Sequence, residues 1–408
     1  MNAMTAAPNK RIAVLVSNPC TSDARVIKMV QVAREAGYEV HVFATTGANA
    51  RPWEVVDGVT YHRLEWKPAQ MLAERGLLGL FARIARKPVT LAAKAWVPWF
   101  KYGLFRDVFA SAVAAVRPDL IHAHDLITLP AAIAVAKDVG AKVVYDAHEL
   151  EVHRNPPLPL HLKWWVGRVE RKYARRAQAV NTVGRKVGEV LSEHIGRKDV
   201  NIVYNAPLLE HSPANVRTDL QLRPEQPLLI YVGKVTIGRG VGEILELLPG
   251  LPGVYFATVG PSDATTRRLL LQRALKLGVG NRFRTLPPVP HEQVTSYIEG
   301  ADLGVISVEP VTLSYRFCMP NKLFELSFAN VPILSNVLDE IQEFLAENGN
   351  GETVDFENRR ELSYAIFRML GDNRRYRMDE ERRRRLAENY SWATQAQKIQ
   401  RIYADALK

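Results

Sequence analysis

The feature that most constrains the fold of this chain is a repeated unit: a continuous apolar run, a polar loop, and apolar residues at helical spacing. In the first unit the run RIAVLV at 11–16 is followed by SNPCTSD, where Asp23 is placed to cap a helix, and then by YEVHVFA at 38–44. Continuous apolar runs are typical of strands buried on both faces of a parallel sheet. Their alternation with helices predicts an α/β fold with a doubly wound parallel sheet.

The repeat continues in two series. The first has further predicted strands at 118–124, 141–149, 177–184 and 200–207, and the second has strand, glycine-rich loop and helix over 227–248, then strands at 254–260, 282–289, 301–308 and 331–336. Two series predict two Rossmann-like domains that face a central cleft, one over 1–205 and one over 206–388. The segment 389–408 has a helical pattern and could pack on either domain, including by crossing back to the first.

Composition excludes several classes of protein. The 408 residues include only two cysteines, which rules out a disulfide framework and favours a reducing cytoplasm. No apolar run approaches the roughly 20 residues that span a bilayer, and the first residues lack a signal-peptide pattern. We therefore expect a cytoplasmic protein.

The formal net charge of +11 favours anionic partners, and much of it lies in one segment. Residues 67–117 hold nine Lys or Arg against two acids, together with seven Trp, Phe or Tyr residues. This mixture is typical of an interfacial helix on an anionic membrane and would place the protein on the inner face of the cell membrane. The alternative is a helix pair that packs its rings into a core and leaves its cations in solvent.

A glycine-rich loop lies between a predicted strand and helix of the second series. Its glycines allow close backbone approach, and two cations stand among them; these residues are Gly233, Lys234, Gly238, Arg239, Gly240 and Gly242. The start of a helix after such a loop favours an anion, so the loop predicts a phosphate site. The alternative is an ordinary glycine-rich turn with two solvated cations.

Polar residues follow two predicted strands of the first series, namely His124, Asp125, His148 and Glu149. Because ligands bind at the carboxyl ends of parallel strands, we expect these four to face one crevice. Together with neighbouring His and Asp residues they invite a metal interpretation. We expect no metal, because neither a cysteine ligand nor a His-Glu-x-x-His pattern supports one.

The predicted helix after 309–320 begins with Asn321 and Lys322 and carries Glu325. A carboxylate there could accept both hydroxyls of a ribose, while the start of the helix holds phosphate. The alternative for Glu325 is an exposed helical glutamate without a ligand.

Taken in order, these motifs resemble glycosyltransferase family 4 over nearly the whole chain. The resemblance is carried by NPCTSDARVIKMVQVAREAGYEVHVFA, PDLIHAHDL, VVYDAHELE, YVGKVTIGRGVGEIL, PNKLFELSFANVPIL and YSWATQAQKI. It implies the GT-B fold, retention of anomeric configuration, and a UDP- or GDP-linked sugar donor as substrate with no separate cofactor. It also implies a glycan or polyprenyl-diphosphate-linked acceptor, in bacterial polysaccharide or glycolipid synthesis.

The resemblance assigns roles to individual residues. Lys234 and Arg239 match the basic pair that grips the donor diphosphate, and Glu325 matches the ribose-binding glutamate. His124 resembles the histidine that approaches the transferred sugar, and His148 matches a second cleft histidine.

The chain also departs from the family pattern at two places. Phe317 stands where many members have the first glutamate of a Glu-x7-Glu pair, so either the backbone amides around Ser314–Cys318 or Glu309 would hold the sugar. The loop after the first strand is not the usual glycine pair, and Asp23 and Arg25 would there meet acceptor or diphosphate.

These residues predict a metal-independent transferase in which cations and the helix start stabilise the departing diphosphate. An epimerase of sugar nucleotides or a phosphorylase on the same architecture is the alternative. A nucleic-acid-binding protein is a third class, which we do not expect because the basic segment contains no recognised nucleic-acid motif.

Overall fold

The computed structural model describes residues 10–48, 50–74, 94–236 and 238–408. The chain forms two compact units: unit 1 comprises Met1–Val203 and Ala396–Lys408, and unit 2 comprises Tyr204–Gln395. The division therefore lies two residues before the predicted boundary. The predicted C-terminal segment is split, because its residues from Ala396 onward belong to unit 1.

Unit 1 is built on an eight-stranded sheet with the strand order β3-β4-β2-β1-β5-β6-β7-β8. The strands are β1 (Arg11–Leu15), β2 (Glu39–Thr45), β3 (Trp53–Val56), β4 (Val59–Leu64), β5 (Leu120–His124), β6 (Lys142–Ala147), β7 (Ala179–Thr182) and β8 (Val200–Ile202). All neighbours are parallel except β3 and β4, which pair as an antiparallel hairpin. This hairpin at the sheet edge was not among the predicted elements.

In the described residues of unit 1 the helices are α1 (Ala24–Glu35), α2 (Pro68–Ala73), α3 (Val97–Ala115), α4 (Asp125–Val139), α5 (Leu160–Ala174) and α6 (Arg185–Ile195), with a 3-10 turn at Glu151–His153. Asp23 caps α1 as predicted, since its side chain accepts a hydrogen bond from the amide of Val26. α4 begins directly after β5, with no loop between them. The side chains at the end of β5 therefore stand at the start of a helix.

Unit 2 has a six-stranded, fully parallel sheet in the order β11-β10-β9-β12-β13-β14. Its strands are β9 (Leu228–Val232), β10 (Tyr255–Val259), β11 (Phe283–Leu286), β12 (Leu303–Ile306), β13 (Ile333–Ser335) and β14 (Gly351–Thr353). With unit 1, it confirms the predicted architecture of two doubly wound parallel-sheet domains. The central strands of both sheets are buried on their two faces, as the apolar runs indicated.

The remaining helices are α7 (Val216–Leu220), α8 (Val241–Leu247), α9 (Ala264–Lys276), α10 (Val294–Ile298), α11 (Leu313–Arg316), α12 (Asn321–Phe328), α13 (Asp339–Asn348), α14 (Arg359–Gly371), α15 (Glu380–Tyr390) and α16 (Trp392–Ala406), with 3-10 turns at Leu248–Gly250, His291–Gln293 and Asn373–Tyr376. α16 starts in unit 2, and its later residues pack in unit 1. There Tyr403 is fully buried.

Candidate functional site

The carboxyl ends of β5 and β6 bring three polar side chains of unit 1 together. The two strands are parallel neighbours with His124 opposite Asp146, and His148 follows two residues later. His124 Nδ1 lies 3.2 Å and His148 Nε2 lies 3.3 Å from Asp146 Oδ2. The sequence predicted that His124 and His148 meet here, while the central carboxylate was noticed only as a neighbour.

A buried arginine holds the carboxylate at the centre of this cluster. Arg25 donates to both oxygens of Asp146, with Nε 2.8 Å from Oδ2 and Nη2 2.7 Å from Oδ1. Arg25 Nη1 also donates to the carbonyl oxygen of Val203 at 2.8 Å. The prediction that Arg25 meets acceptor or diphosphate is therefore wrong. Its side chain is only 4% exposed, and its hydrogen bonds go to groups of the protein itself.

Electrostatics give the three groups different protonation states. Burial alone would raise the pKa of Asp146, but Arg25 and the two histidines hold that pKa well below its usual range. Burial lowers the pKa of His124, so this ring is neutral. Burial opposes protonation of His148 too, yet Asp125 and Asp146 raise its pKa to about 9, so it is an imidazolium at neutral pH.

This arrangement fixes what His124 offers to a ligand. Its Nδ1 lies 3.2 Å from Asp146 Oδ2 and 3.1 Å from His148 Nε2. In the tautomer in which Nδ1 donates to the carboxylate, Nε2 keeps a lone pair. Nε2 is buried and has no hydrogen-bond partner within the described parts of the chain. A buried acceptor without a partner calls for an explanation, and a ligand hydroxyl is the simplest one.

Two acidic residues extend the cluster outward. Asp125 has a φ of +62°, a left-handed conformation that is uncommon for a residue with a side chain, and its Oδ1 lies 3.5 Å from His148 Nδ1. Burial and the nearby Glu151 raise the pKa of Glu149.

Asp23, which the sequence predicted to meet acceptor or diphosphate, makes hydrogen bonds within its own loop. It caps α1 and accepts a hydrogen bond from Asn18, whose Nδ2 donates to it at 2.8 Å.

A second histidine of β5 links the cluster to the C-terminal helix. His122 Nδ1 lies 2.8 Å from the Tyr403 hydroxyl, and both side chains are buried. Potential ligand atoms of His122, His124 and Asp146 all lie within 4.8 Å of one another, the spacing of a metal centre. Since Arg25 already pairs with both oxygens of Asp146, its fixed positive charge disfavours a cation at that carboxylate.

The glycine-rich loop of unit 2 follows β9 and leads into α8. Gly233 and Gly240 have φ values of +109° and +73°, which favour glycine. A Cβ on Gly240 would clash with the side chain of Ser307, so no larger residue fits there. Lys234 and Arg239 are both exposed beside this loop, as predicted, and Gly238 also has a positive φ of 80°.

A third cation lies beneath the loop. The Nζ of Lys322 lies 3.8 Å from the ring centroid of Tyr231, and the side chain is almost fully buried. It also approaches Gly233, since a Cβ there would lie 3.8 Å from Nζ. Burial and the nearby Arg239 lower the pKa of Lys322 to about 7. Sequence reasoning found Lys322 but missed its aromatic partner.

Glu325 lies on the same helix as Lys322 and is buried at 5% exposure. The carboxylate faces His291, whose Nδ1 lies 3.4 Å from Oε1. The interpretation of Glu325 as an exposed helical glutamate is therefore wrong. His291 was missed, although it stands after the predicted strand at 282–289, where a ligand residue is expected. Asn321, at the start of the helix, accepts a hydrogen bond from Asn205 at 2.7 Å.

The turn that replaces the first family glutamate is well ordered by its own hydrogen bonds. The amides of Tyr315, Arg316, Phe317 and Cys318 each donate to a carbonyl within this turn. Amides already engaged in this way are poor candidates for holding a sugar. Glu309, which is exposed, is the alternative that needs no rearrangement of the turn.

The basic aromatic segment 67–117 contains both buried and exposed rings. Phe105 and Phe109 stack at 4.1 Å in the core of unit 1, whereas Trp96 and Phe100 are exposed. Its residues 75–93, with four of the nine cations, lie outside the described residues. In the described parts of the chain, none of the helices is both long enough and apolar enough to cross a membrane.

A protein family model matches most of unit 1. Residues 24–207 match the family described as the glycosyl transferase 4-like domain. Over 312 residues the chain is 24% identical to the D-inositol 3-phosphate glycosyltransferase of Nocardia farcinica, and this alignment covers 71% of this chain and 67% of that protein. The chain carries a glycosyl transferase 4-like domain, which supports the resemblance to GT-B glycosyltransferases of family 4.

Solved glycosyltransferase-type structures superpose on nearly the whole chain. Sucrose-phosphate synthase from Thermosynechococcus elongatus superposes with a TM-score of 0.71 at 18% identity, covering 97% of this chain and 98% of that one. Anabaena HepE in complex with UDP and glucose gives a TM-score of 0.69 at 16% identity, covering 97% and 99%. At these identities the likeness concerns the fold.

Proposed function

We propose that this glycosyltransferase moves a sugar from a UDP-linked donor, with a GDP-linked donor as the alternative, to a glycan or lipid-linked acceptor. The observation that carries the proposal is the gathering of three cations, Lys234, Arg239 and Lys322, around the glycine-rich loop of unit 2. The solved complex of HepE with UDP and glucose supports the choice of UDP.

Unit 2 is the donor side of the proposal. Lys234 and Arg239 would bind the diphosphate with charge-assisted hydrogen bonds, and the glycines let the backbone approach it. Glu325 would accept hydrogen bonds from the ribose hydroxyls. Three protein cations can offset the charge of a departing diphosphate, which supports catalysis without a metal ion.

Unit 1 is the acceptor side of the proposal. His124, neutral and with its lone pair on Nε2, would accept a hydrogen bond from a sugar hydroxyl. The imidazolium of His148, together with Asp125 and Glu149, would orient the acceptor. Arg25 is a positioning residue in this scheme, because it acts only through Asp146.

The proposed reaction retains the configuration of the sugar through transfer on one face. The acceptor oxygen bonds to the anomeric carbon while the bond from that carbon to the diphosphate oxygen breaks. The departing diphosphate takes the proton of the acceptor hydroxyl, and the cations of unit 2 stabilise the negative charge that remains on it. Oxocarbenium-like charge on the sugar is the other feature that the site would stabilise.

A thermal-shift screen with UDP, GDP and ADP tests the donor assignment. A ligand at about 100 times its Kd adds roughly 2.7 kcal/mol to stability, so the correct nucleotide should raise the melting temperature by several degrees. We expect UDP to give the largest shift. Equal shifts with all three nucleotides would overturn the choice of UDP, and no shift with any of them would refute the nucleotide site. Anomeric configuration of the product, read by NMR, tests retention.

A further inference from the structure

We propose that unit 1 docks on the surface of an anionic bilayer through a face formed by α3 and α5. This α3–α5 face consists of the apolar side chains Trp96, Phe100, Leu160 and Trp164 and the cations Arg168, Arg171, Lys172 and Arg175. The proposal rests on the proposed function only in that a docked enzyme would meet a lipid-linked acceptor. It differs from the sequence prediction because half of the face comes from α5, outside 67–117.

The apolar part of the face is large and exposed. Trp96 and Phe100 on α3 are 58% and 50% exposed, and Leu160 and Trp164 on α5 are 84% and 62% exposed. On soluble proteins, large exposed apolar patches mark sites of interaction with proteins, membranes or ligands. Trp and Phe favour the headgroup level of a membrane, where a ring has one apolar and one wet surface.

A stacking contact holds the two helices in register. The rings of Trp99 and His161 stack with centroids 5.7 Å apart and planes at 10°, and Trp165 lies 5.9 Å from Trp99. Every exposed apolar side chain of the face is within four residues of this contact along its own helix. The rings are therefore presented on a rigid support.

The cations continue along the exposed side of α5. Leu160, Trp164, Arg168 and Lys172 recur every four residues, so they form one stripe that is apolar at its start and basic at its end. Arg168 lies over the Trp164 ring at 4.8 Å. This order is that of an interfacial helix whose cations meet lipid phosphates beside inserted rings.

Acidic residues do not offset this charge. Residues 160–176 contain six Lys or Arg and a single acid, Glu170. Glu170 is buried and accepts a hydrogen bond from Tyr145 at 2.9 Å, and burial raises its pKa to about 8. The exposed surface of α5 thus has positive charge alone.

A groove between the helices joins the apolar and basic parts. Its volume is about 650 Å³, and its lining includes Trp99, Phe100 and Trp165 together with Arg168, Lys172 and Arg175. A lipid headgroup would find aromatic walls and several cations in one place. A purely electrostatic partner would not use the aromatic walls.

A second exposed aromatic pair differs from the α3–α5 face in how its neighbouring cations are paired. Tyr364 and Phe367 on α14 are each 65% exposed and also have arginines nearby. There, however, Arg359 pairs with Glu246 at 2.7 Å and Arg368 pairs with Glu352. Two of the three arginines beside these rings are thus neutralised, and Arg360 is the third. Neutralised cations give little attraction to anionic lipid, so charge complementarity favours the α3–α5 face with its four cations.

The face also lies close to the acceptor edge of unit 1. Lys101 on α3 interacts electrostatically with Glu151, Asp125 and Glu149, which belong to the carboxyl edge of β5 and β6. A bilayer against the α3–α5 face would therefore bring membrane-embedded acceptors to this edge.

Vesicle sedimentation of the full-length protein tests the proposal. Vesicles of phosphatidylcholine with roughly a third phosphatidylglycerol should bind it, and vesicles of phosphatidylcholine alone should not. Arg168→Glu with Lys172→Glu should lower the partition coefficient by on the order of 10²-fold, and Phe100→Ser with Trp164→Ser by about tenfold or more. Binding should also fall as salt rises toward about 1 M, where the Debye length is about 3 Å.

Two matched controls come from unit 2. Arg383→Glu with Arg385→Glu makes the same charge change on exposed positions of α15, and Tyr364→Ser with Phe367→Ser removes equally exposed rings. Both should bind vesicles like wild type. Equal losses in these controls, or wild-type binding to neutral vesicles, would overturn the proposal, as would binding to single-stranded oligonucleotide but not to vesicles.

The same variants separate docking from the proposed function. The α3–α5 variants should keep wild-type affinity for UDP, since that affinity is assigned to unit 2. Vesicle binding without any UDP binding would refute the proposed function and leave docking intact. UDP binding without vesicle binding would refute docking alone.

Discussion

The polar cluster of unit 1 and the glycine-rich loop of unit 2 handle charge in opposite ways. In unit 1, Asp146 is fully buried and satisfied by Arg25 and two histidines. In unit 2, Lys234 and Arg239 stand exposed beside the loop. Buried charges must be paired within the protein, whereas exposed cations can await a charge that arrives with a ligand.

The difference means that the polar cluster of unit 1 is organised before substrate arrives, whereas the loop of unit 2 needs a bound ligand to balance its charge. The network around Asp146 fixes the orientation of His124 before any substrate arrives. The loop of unit 2 completes its charge balance only when a diphosphate binds. Removing a group from the first region should therefore cost stability, and removing one from the second should cost activity.

The largest expected effect is on stability and comes from Asp146→Ala. Arg25 would be left buried without its carboxylate, which costs roughly 3–5 kcal/mol in the free energy of unfolding. Urea denaturation measures this. The control is Glu39→Ala, which breaks the exposed pair with Arg11 and should cost less than about 1 kcal/mol. Similar losses in both variants would erase the contrast between buried and exposed charge.

The next effect is on turnover. Lys234→Ala and Arg239→Ala should each lower kcat by on the order of 10²-fold, the scale seen on removing one charge-stabilising donor. Because both side chains are exposed, melting temperatures should stay near that of wild type. Lys276→Ala, an exposed cation at the end of α9, serves as the control. Wild-type rates in both loop variants would mean that the diphosphate lies elsewhere.

A smaller effect is expected from Glu325→Gln. The amide keeps the shape of the side chain but loses the charge that strengthens hydrogen bonds to ribose, so UDP affinity should fall about tenfold. Calorimetric titration measures it, with binding of uridine diphosphate and of inorganic diphosphate compared. A loss confined to the nucleotide supports the ribose contact, and unchanged affinity for UDP removes Glu325 from the site.

The smallest effect is a pH dependence of nucleotide binding. Lys322 has a pKa of about 7 without ligand, and a bound diphosphate favours its charged form and raises that pKa. UDP affinity should therefore be full only below pH 7 and fall several-fold between about pH 7 and pH 9, as the unliganded lysine loses its proton. Lys322→Met should bind more weakly and lose this slope. A slope that persists in the variant would assign it to another group.

Sequence patterns predicted the parts of this molecule that depend on local order. Continuous apolar runs located the parallel strands, and polar residues after them located His124 and His148. The hairpin of β3 and β4 was missed, although Asp57-Gly58 between two apolar segments is a strong hairpin signal.

Contacts between distant segments could not be predicted in this way. Arg25 and Asp146 are 121 residues apart, and no spacing in the sequence indicates that they pair. The contact of Tyr403 with His122 joins the end of the chain to β5 across 281 residues. Nor did composition show that α3 and α5 share one basic aromatic face, because that depends on how the helices pack.

Amide hydrogen exchange with and without UDP tests whether a nucleotide completes the charge balance of unit 2 and leaves the network of unit 1 as it was. We predict slower exchange in peptides covering α8 and α12 on addition of UDP, and unchanged exchange in β5 and β6. Protection confined to β5 and β6, with α8 and α12 unaffected, would contradict this prediction.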